Sequence, residues 1–129
     1  MNAWIIPSNP KDYDIHKGLM RYGNELEWTK TLATTNIATG DIVYIYITAP
    51  RKAITMKFTV TNQNVVSPKQ KHNDNGEETA GAWFVIKFLE DISPITYETL
   101  LNNGVVNGYI QTARLLKSEQ EAALARLTL

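Results

Sequence analysis

The fold is decided by the stretch GDIVYIYITAPRKAITMKFTV, which occupies residues 40–60. Residues 42–48 are rich in β-branched and aromatic side chains, and this composition favours a strand. Residues 53–61 alternate between apolar and polar side chains, as in a strand with one buried face. The apolar side chains expected to share that face are Ile54, Met56, Phe58 and Val60. The short linker Ala49-Pro50-Arg51-Lys52 predicts that the two strands form a hairpin.

Weaker signals precede this hairpin. Residues 3–6 are a short apolar run that ends at Pro7-Ser8-Asn9-Pro10, which predicts a strand followed by a turn. Asp12 or Asp14 is expected to cap a helix that runs to about Tyr22. The order of elements at the start of the chain is therefore strand, helix, strand, strand.

Similar signals follow the hairpin. Residues 62–81 are polar and rich in turn-forming residues, so we expect a long loop. Residues 82–89 predict a third strong strand bounded by Pro94, and residues 96–103 predict a short helix. Ser118 and the glutamate three residues later form the pattern of a capping box that opens a terminal helix.

This order of elements predicts the fold class. Strands that are adjacent in sequence indicate a mixed, mostly antiparallel sheet, and the helices are expected to pack around it. We therefore predict an α+β fold in which a small β-barrel is surrounded by helices. A length of 129 residues corresponds to about one domain, so residues 1–129 are expected to form a single domain.

Composition excludes several classes of protein. The chain has no cysteine, which excludes disulfides, zinc–thiolate sites and cysteine nucleophiles. The longest apolar block, residues 42–47, is far shorter than the ~20 residues of a membrane-spanning helix. The N-terminus lacks the basic and apolar regions of a signal peptide. We expect a cytoplasmic protein with no membrane partner.

Charge is unevenly distributed along the chain. The formal net charge is zero, which argues against DNA binding by bulk positive charge. Residues 42–73 nevertheless carry five basic and no acidic side chains, whereas residues 74–129 carry four basic and eight acidic ones. The basic block is either a solvated sheet edge whose lysines discourage strand pairing or a surface for phosphates.

Residues suited to catalysis are sparse. The two histidines, His16 and His72, are far apart in sequence and have no partner at metal-ligand spacing, so no metal site is predicted. The close acidic pairs are Asp12/Asp14, Glu25/Glu27, Glu77/Glu78 and Glu90/Asp91. Most of them flank turns or helix starts, where acids commonly have a capping role. No phosphate loop or nucleophile motif is present. We therefore expect a protein that is not an enzyme and needs no cofactor.

Trp28 and the first turn are the candidate binding groups. Trp28 lies in a polar segment, where it is either a lid on the core or an exposed stacking platform. Ser8 and Asn9, held between Pro7 and Pro10, offer hydrogen-bonding groups in a rigid turn. Such a turn can start a helix, or it can bind the hydrogen-bonding edge of a flat ligand.

Five sequence features together resemble a known family. They are Ile5-Ile6-Pro7-Ser8-Asn9-Pro10, Tyr13-Asp14-Ile15, Trp28, Gly40-Asp41-Ile42-Val43-Tyr44-Ile45-Tyr46 and the strand from Ile54 to Val60. In this order they resemble the EVE domains of the PUA-like superfamily, which also contains YTH and ASCH domains. The resemblance is strongest to EVE-like modules of prokaryotic modification-dependent restriction systems, and it implies a PUA-like barrel.

The resemblance also implies a function and its residues. EVE-like modules flip a modified base out of nucleic acid and hold it in an aromatic pocket. By position, the pocket residues implied here are Ser8, Asn9, Trp28, Tyr46, Thr48 and Asp91. The second aromatic of the pocket stays open between Tyr13, Tyr22 and Tyr46. The cations available for the nucleic-acid backbone are Arg51, Lys52, Lys57, Lys69 and Lys71.

The expected partner is therefore nucleic acid with a modified base, with modified cytosine in DNA favoured over RNA. A separately encoded effector protein would supply any nuclease or motor activity. Two alternatives remain open. One is an ASCH-like enzyme that acts on a modified nucleoside, and the other is a protein-interaction module.

Overall fold

The computed structural model of the chain describes residues 1–65, 68–70 and 82–129. Three α-helices and six strands form within these ranges. They are β1 (Ala3–Ser8), α1 (Ile15–Tyr22), β2 (Glu25–Thr29), β3 (Ile42–Ile47), β4 (Ala53–Asn62), β5 (Trp83–Thr96), α2 (Tyr97–Asn102), β6 (Arg114–Leu115) and α3 (Ser118–Leu127). A short 3-10 helix occupies Leu32–Thr34. The predicted hairpin is confirmed as β3 and β4.

The strands form one mixed sheet in the order β2-β5-β4-β3-β1-β6. The pair β1 and β3 is parallel, and the other neighbours are antiparallel. The predicted α+β class and mixed sheet are confirmed. The predicted closed barrel is not observed, because β2 and β6 are the two unpaired edges of the sheet in the described ranges. The physical reason is that β6 has only two residues, too few to carry a hydrogen-bonded ladder to a further strand.

Both faces of the sheet are buried. Trp4 and Ile6 contribute to a cluster that α1 helps to cover, whereas Ala3 and Ile5 contribute to a cluster on the opposite face that α2 and α3 cover. Because both faces of β1 are buried, its sequence is a continuous apolar run rather than an alternating one. The strand that carries the first turn is therefore held from both sides.

Two of the sequence expectations fail at one β-bulge. Thr55 has no partner in either ladder, because Ile45 pairs with Met56 while Tyr46 pairs with Ile54. An extra residue in one strand changes the face to which its neighbours point. Ile54 therefore packs on the face opposite to Met56, Phe58 and Val60, although strict alternation predicted one shared face.

The same irregularity accommodates Pro94. The sequence predicted that this proline bounds the third strong strand, but β5 continues through it to Thr96. Met56 pairs with Asp91 and Ile54 pairs with Ile95, so residues 92–94 lie opposite the bulged Thr55. Proline is tolerated at a bulge because no ladder hydrogen bond is required there.

The helices are short and capped. Asp14 caps α1 by accepting hydrogen bonds from the amides of His16 and Lys17, as expected. The cap of α3 is one residue earlier than the sequence pattern implied, since the Lys117 amide donates to Oε1 of Gln120 at 2.8 Å. No helix in the described part of the chain is long and apolar enough to span a membrane.

A buried carboxylate aligns β1 with β3. Asp41 is 3% exposed, and its two oxygens accept hydrogen bonds from the Asn2 amide (3.0 Å), the Trp4 indole Nε1 (2.9 Å) and the Ala38 amide (3.0 Å). Buried donors and acceptors cost free energy when they are unpaired. The three bonds therefore hold the start of β1 beside the start of β3 and set their parallel register.

Replacing Trp4 by Phe removes one donor to Asp41 while keeping an aromatic ring in the core. We expect Trp4→Phe to lower the free energy of unfolding by about 1–3 kcal/mol, since the carboxylate keeps its burial but loses a partner. Asp41→Asn should lower the free energy of unfolding by as much or more, because one carboxylate oxygen is replaced by an NH₂ group that cannot accept the hydrogen bonds donated to it. Urea denaturation measures both changes. Asp91→Asn, at an exposed carboxylate, is the control and should change stability by less than about 0.5 kcal/mol. An unchanged midpoint for Trp4→Phe would contradict the role given to Asp41.

Candidate functional site

The parallel strands β1 and β3 end side by side, and the candidate site lies at these ends. Ser8 pairs with Ile47, and the Thr48 amide donates to the Ser8 carbonyl at 3.1 Å. Near these strand ends, successive side chains point to opposite faces of the sheet. Two neighbouring pockets form there, one on each face.

The first, the Trp28 pocket, has a volume of about 140 Å³. Its lining residues are Pro7, Ser8, Asn9, Asp12, Tyr13, Glu27, Trp28 and Thr29. This volume is well below the roughly 300–1,000 Å³ of sites for drug-sized ligands. A single planar ring system is therefore the kind of ligand that the pocket can take. Three residues implied by the resemblance, Ser8, Asn9 and Trp28, are brought together here.

Trp28 is half-buried on β2 and packs beside Tyr13. The two ring centroids are 5.7 Å apart and the ring planes are nearly perpendicular, at 89°. Edge-to-face pairs of this kind add to the stabilisation that comes from burial. Of the three tyrosines that the sequence left open, Tyr13 is the one that lines this pocket beside Trp28. Tyr46 and Tyr22 do not line this pocket.

Gly18 provides the space that Tyr13 needs. A Cβ built on Gly18 of α1 would collide with the hydroxyl group of Tyr13 and would lie 2.9 Å from its Cζ. A larger residue at this position would push the Tyr13 ring away from the helix. The glycine therefore allows Tyr13 to pack between α1 and Trp28.

Ser8 and Asn9 supply polar groups to the wall of the pocket. Ser8 is 3% exposed and lines the pocket beside Asn9. Asn9 Oδ1 accepts from the Lys11 amide at 3.0 Å, and the Asn9 carbonyl accepts from the amides of Asp12 and Tyr13. The turn is held by these local bonds, so its polar groups have a defined position.

Glu27 anchors the neighbouring segment 68–70 to the pocket wall. Its carboxylate accepts hydrogen bonds from the amides of Lys69 (2.9 Å) and Gln70 (2.7 Å). The Gln70 side chain also accepts a hydrogen bond from the Glu27 amide and donates one to the Glu25 carbonyl. The expectation that this acid is structural thus matches its contacts, although they anchor a distant segment rather than cap a helix.

The second pocket, the Tyr46 pocket, has a volume of about 600 Å³. Its lining includes Tyr46, Thr48, Lys52, Tyr97 and Tyr109. It also shares Pro7, Asn9 and Asp12 with the Trp28 pocket, so the two pockets are adjacent. Tyr46 and Thr48 therefore lie beside the Trp28 pocket rather than in it.

The chemistry of the Tyr46 hydroxyl follows from its surroundings. Burial raises the pKa of Tyr46, and the neighbouring Tyr97 raises it further. The hydroxyl therefore stays protonated at neutral pH and can donate a hydrogen bond to a ligand. The alternation of β3 places Tyr46 on the face opposite to Ile45 and Ile47.

Asp91 and Arg51 lie in a third pocket, the Thr55 pocket, of about 490 Å³. It lies between the start of α1 and the bulged part of β4 and β5, and Tyr13 lines both this pocket and the Trp28 pocket. The Thr55 hydroxyl is buried there without a hydrogen-bond partner in the described residues. Asp91, which pairs with Met56, therefore lines the Thr55 pocket and does not line the Trp28 pocket.

The candidate backbone cations are dispersed. Lys52 lines the Tyr46 pocket, and Lys69 is anchored through its amide beside the Trp28 pocket. Lys57 lies with its Nζ 5.9 Å from the centroid of the Tyr44 ring, away from both pockets. Lys71 falls outside the described residues. Lys52 thus lines one of the two adjacent pockets, and Lys69 is bonded through its amide to Glu27 in the wall of the other.

Sequence reasoning did not single out Tyr97, Tyr109 or Asp41. Tyr97 and Tyr109 come together only through the packing of α2 against the segment before β6, which no local pattern reveals. Asp41 belongs to the Gly40–Tyr46 motif that carries the resemblance, but the motif assigns it no role of its own. The described part of the chain contains no group of three His, Cys, Asp or Glu residues that could hold a metal ion.

Replacing Glu27 tests how the segment 68–70 is held. We expect Glu27→Gln to speed hydrogen exchange at the amides of Lys69 and Gln70 by at least tenfold, because it weakens both charge-assisted bonds. Glu25→Gln is the matched control, since Glu25 contacts Gln70 through its carbonyl only. Equal exchange rates in the two variants would show that the carboxylate does not anchor this segment.

Comparisons with known proteins locate the fold. No family model matches the chain, and no curated protein matches it. Solved structures match along nearly its whole length. A structural genomics target from Rhodopseudomonas palustris has a TM-score of 0.72 at 13% identity, over 99% of this chain and 93% of its own. A structural genomics target from Pseudomonas syringae has a TM-score of 0.70 at 19% identity, over 98% of this chain and 99% of its own.

An ASCH protein from Zymomonas mobilis has a TM-score of 0.67 at 15% identity, over 98% of this chain and 96% of its own. At such identities the likeness concerns the fold alone. It confirms the α+β, PUA-like class that the sequence implied. The narrower EVE assignment, and the link to restriction systems, stay predictions. The chain therefore has the fold of ASCH-type, PUA-like domains.

Proposed function

We propose that this chain is a non-catalytic reader of nucleic acid that carries a modified base, with modified cytosine in DNA as the favoured ligand. The base is flipped out of its helix and inserted into the Trp28 pocket. The observation that carries this proposal is the half-buried Trp28, with Tyr13 edge-on beside it and the polar groups of Ser8 and Asn9 in the same small pocket.

The chemistry of this pocket suits a flipped base. An aromatic face contributes roughly 1–3 kcal/mol through stacking on one base. A flipped base also presents its Watson–Crick edge, which needs donors and acceptors. The Ser8 hydroxyl can donate or accept, and the Asn9 side chain offers an amide. Stacking provides affinity, and these polar groups provide selectivity.

Extrusion of the base costs a few kcal/mol, which is comparable to what stacking returns. Contacts to the phosphates must therefore contribute. Lys52 and Lys69 flank the adjacent pockets, and we propose them as the principal backbone contacts. Arg51, Lys57 and Lys71 complete the proposed basic surface. With a net charge of zero, this surface holds nucleic acid weakly and leaves discrimination to the pocket.

A reader of this kind has no effector activity of its own. We propose that the chain acts in the cytoplasm with a separately encoded effector protein, as the resemblance to EVE-like modules of restriction systems implies. The favoured target, modified cytosine in DNA, rests on that resemblance. The pocket itself supports a planar base of either nucleic acid.

Removing the Trp28 ring tests the proposal. We expect the native chain to bind duplexes that contain methylated or hydroxymethylated cytosine more tightly than unmodified duplexes, at one stated salt concentration. Trp28→Ala should abolish this preference, and Trp28→Phe should retain part of it because a smaller ring still stacks. Fluorescence anisotropy measures the affinities, and circular dichroism checks that each variant is folded. A chain with no preference for any modified base would contradict the proposal.

Neutralising a backbone cation should act differently. We expect Lys52→Gln or Lys69→Gln to weaken binding equally for modified and unmodified duplexes. Each should reduce the slope of log K against log salt by about 0.9, the value for one phosphate contact to duplex DNA. Lys117→Gln, which changes charge equally but lines none of the three pockets, is the matched control. A slope unchanged in all three variants would remove Lys52 and Lys69 from the interface.

A second candidate function is an enzyme that acts on a modified nucleoside. The observation that favours it is that Thr48, Tyr46 and Lys52 line the same pocket. Hydroxyl and amine groups are the nucleophiles and bases of covalent catalysis. Turnover of a modified nucleoside that Lys52→Gln abolishes would support this candidate. Nucleosides left intact after long incubation would end it.

A further inference from the structure

The Tyr46 pocket contains a pair of aromatic rings that has no role when one base binds in the Trp28 pocket. Tyr97 and Tyr109 are stacked, with their ring centroids 5.6 Å apart and an angle of 12° between the ring planes. Tyr97 is half-buried and packs on the core, whereas Tyr109 is 72% exposed. The pair therefore extends from the core to the surface and ends in an accessible ring.

Contacts to regular structure hold this pair in place. The Arg114 guanidinium donates to the Tyr109 carbonyl, and Arg114 pairs with Ile5 of β1 through β6. The Tyr97 amide donates to the Lys52 carbonyl at 2.9 Å, at the end of the hairpin. The exposed ring is thus supported by a rigid neighbour, which lowers the entropy lost when a ligand stacks on it.

The groups around the pair match a nucleotide. Tyr109 offers an aromatic face, Lys52 offers a cation for a phosphate, and Gln111 offers a side-chain amide in the same pocket. The Tyr46 hydroxyl, protonated at neutral pH, is a further donor. Base stacking beside a cation is how proteins hold unpaired nucleotides with little dependence on sequence.

The position of this pocket indicates which nucleotide it would take. Pro7, Asn9 and Asp12 line both the Tyr46 pocket and the Trp28 pocket. The Tyr46 pocket is therefore within reach of the nucleotide next to a base held in the Trp28 pocket. We propose that the Tyr97–Tyr109 pair is a stacking platform for the base adjacent to the modified one, with Lys52 on its phosphate. This inference rests on the proposed function and adds a second nucleotide to it.

The platform is tested by removing either the ring or the base. We compare oligonucleotides that carry one modified cytosine in which the nucleotide on the 5′ side or the 3′ side is abasic. For the native chain, the abasic site on one side should weaken binding by about 5- to 150-fold, the range that corresponds to the loss of one stacked base. The abasic site on the other side should have little effect.

Variants assign this dependence to Tyr109. Tyr109→Ala should weaken binding to the intact oligonucleotide by a similar factor and should make it insensitive to the abasic neighbour. Tyr109→Phe, which retains the ring, should behave as the native chain does. Because Tyr109 is largely exposed, thermal unfolding of both variants should be nearly unchanged.

The outcomes separate this inference from the function on which it rests. If Tyr109→Ala keeps native affinity while Trp28→Ala abolishes the preference for modified cytosine, the platform is wrong and the proposed function stands. If Tyr109 governs binding but no modification is preferred, the platform stands and the reader is wrong. If the chain binds no oligonucleotide, both are wrong.

Discussion

The buried carboxylate of Asp41 is the constraint on which the rest of the structure depends. It lies where β3 begins and accepts hydrogen bonds from the Asn2 amide and the Trp4 indole at the start of β1. The backbone carbonyl of Asp41 also accepts from Val60 at the far end of the hairpin. One residue therefore joins β1, β3 and β4. Without it, buried donors would be left unpaired and the parallel register of β1 against β3 would lose its anchor.

This register has a functional consequence at the opposite end of the strands. Because β1 and β3 run parallel from a common anchor, they end together at Ser8 and Ile47. Alternation then directs Ser8 towards one face and Tyr46 towards the other. Two adjacent pockets with different chemistry result, one built around Trp28 and Tyr13 and the other around three tyrosines and Lys52. A narrow ring-sized pocket beside a wider aromatic one is an arrangement suited to a nucleotide and its neighbour.

Much of the fold could be predicted from the sequence, because the hairpin, α1 and α2 depend on local patterns. The errors arise where distant segments meet. Neither the bulge at Thr55 nor the passage of β5 through Pro94 has a local signal, and Asp91 lines the pocket at this bulge rather than the Trp28 pocket. The resemblance implied that Ser8, Asn9 and Trp28 line one pocket, and all three line the Trp28 pocket. The Tyr97–Tyr109 pair had no such signal, because it depends on tertiary packing alone.

The most direct test of the central claim is the indole region of a ¹H–¹⁵N correlation spectrum recorded during titration with a duplex containing modified cytosine. The chain has three tryptophans, of which Trp4 and Trp83 are buried and Trp28 is half-buried. The resonance of Trp28 should shift strongly and saturate with the duplex, while that of Trp4, hydrogen-bonded to Asp41, should stay in place. A saturated complex in which the Trp28 resonance does not move would contradict the claim that the base enters this pocket.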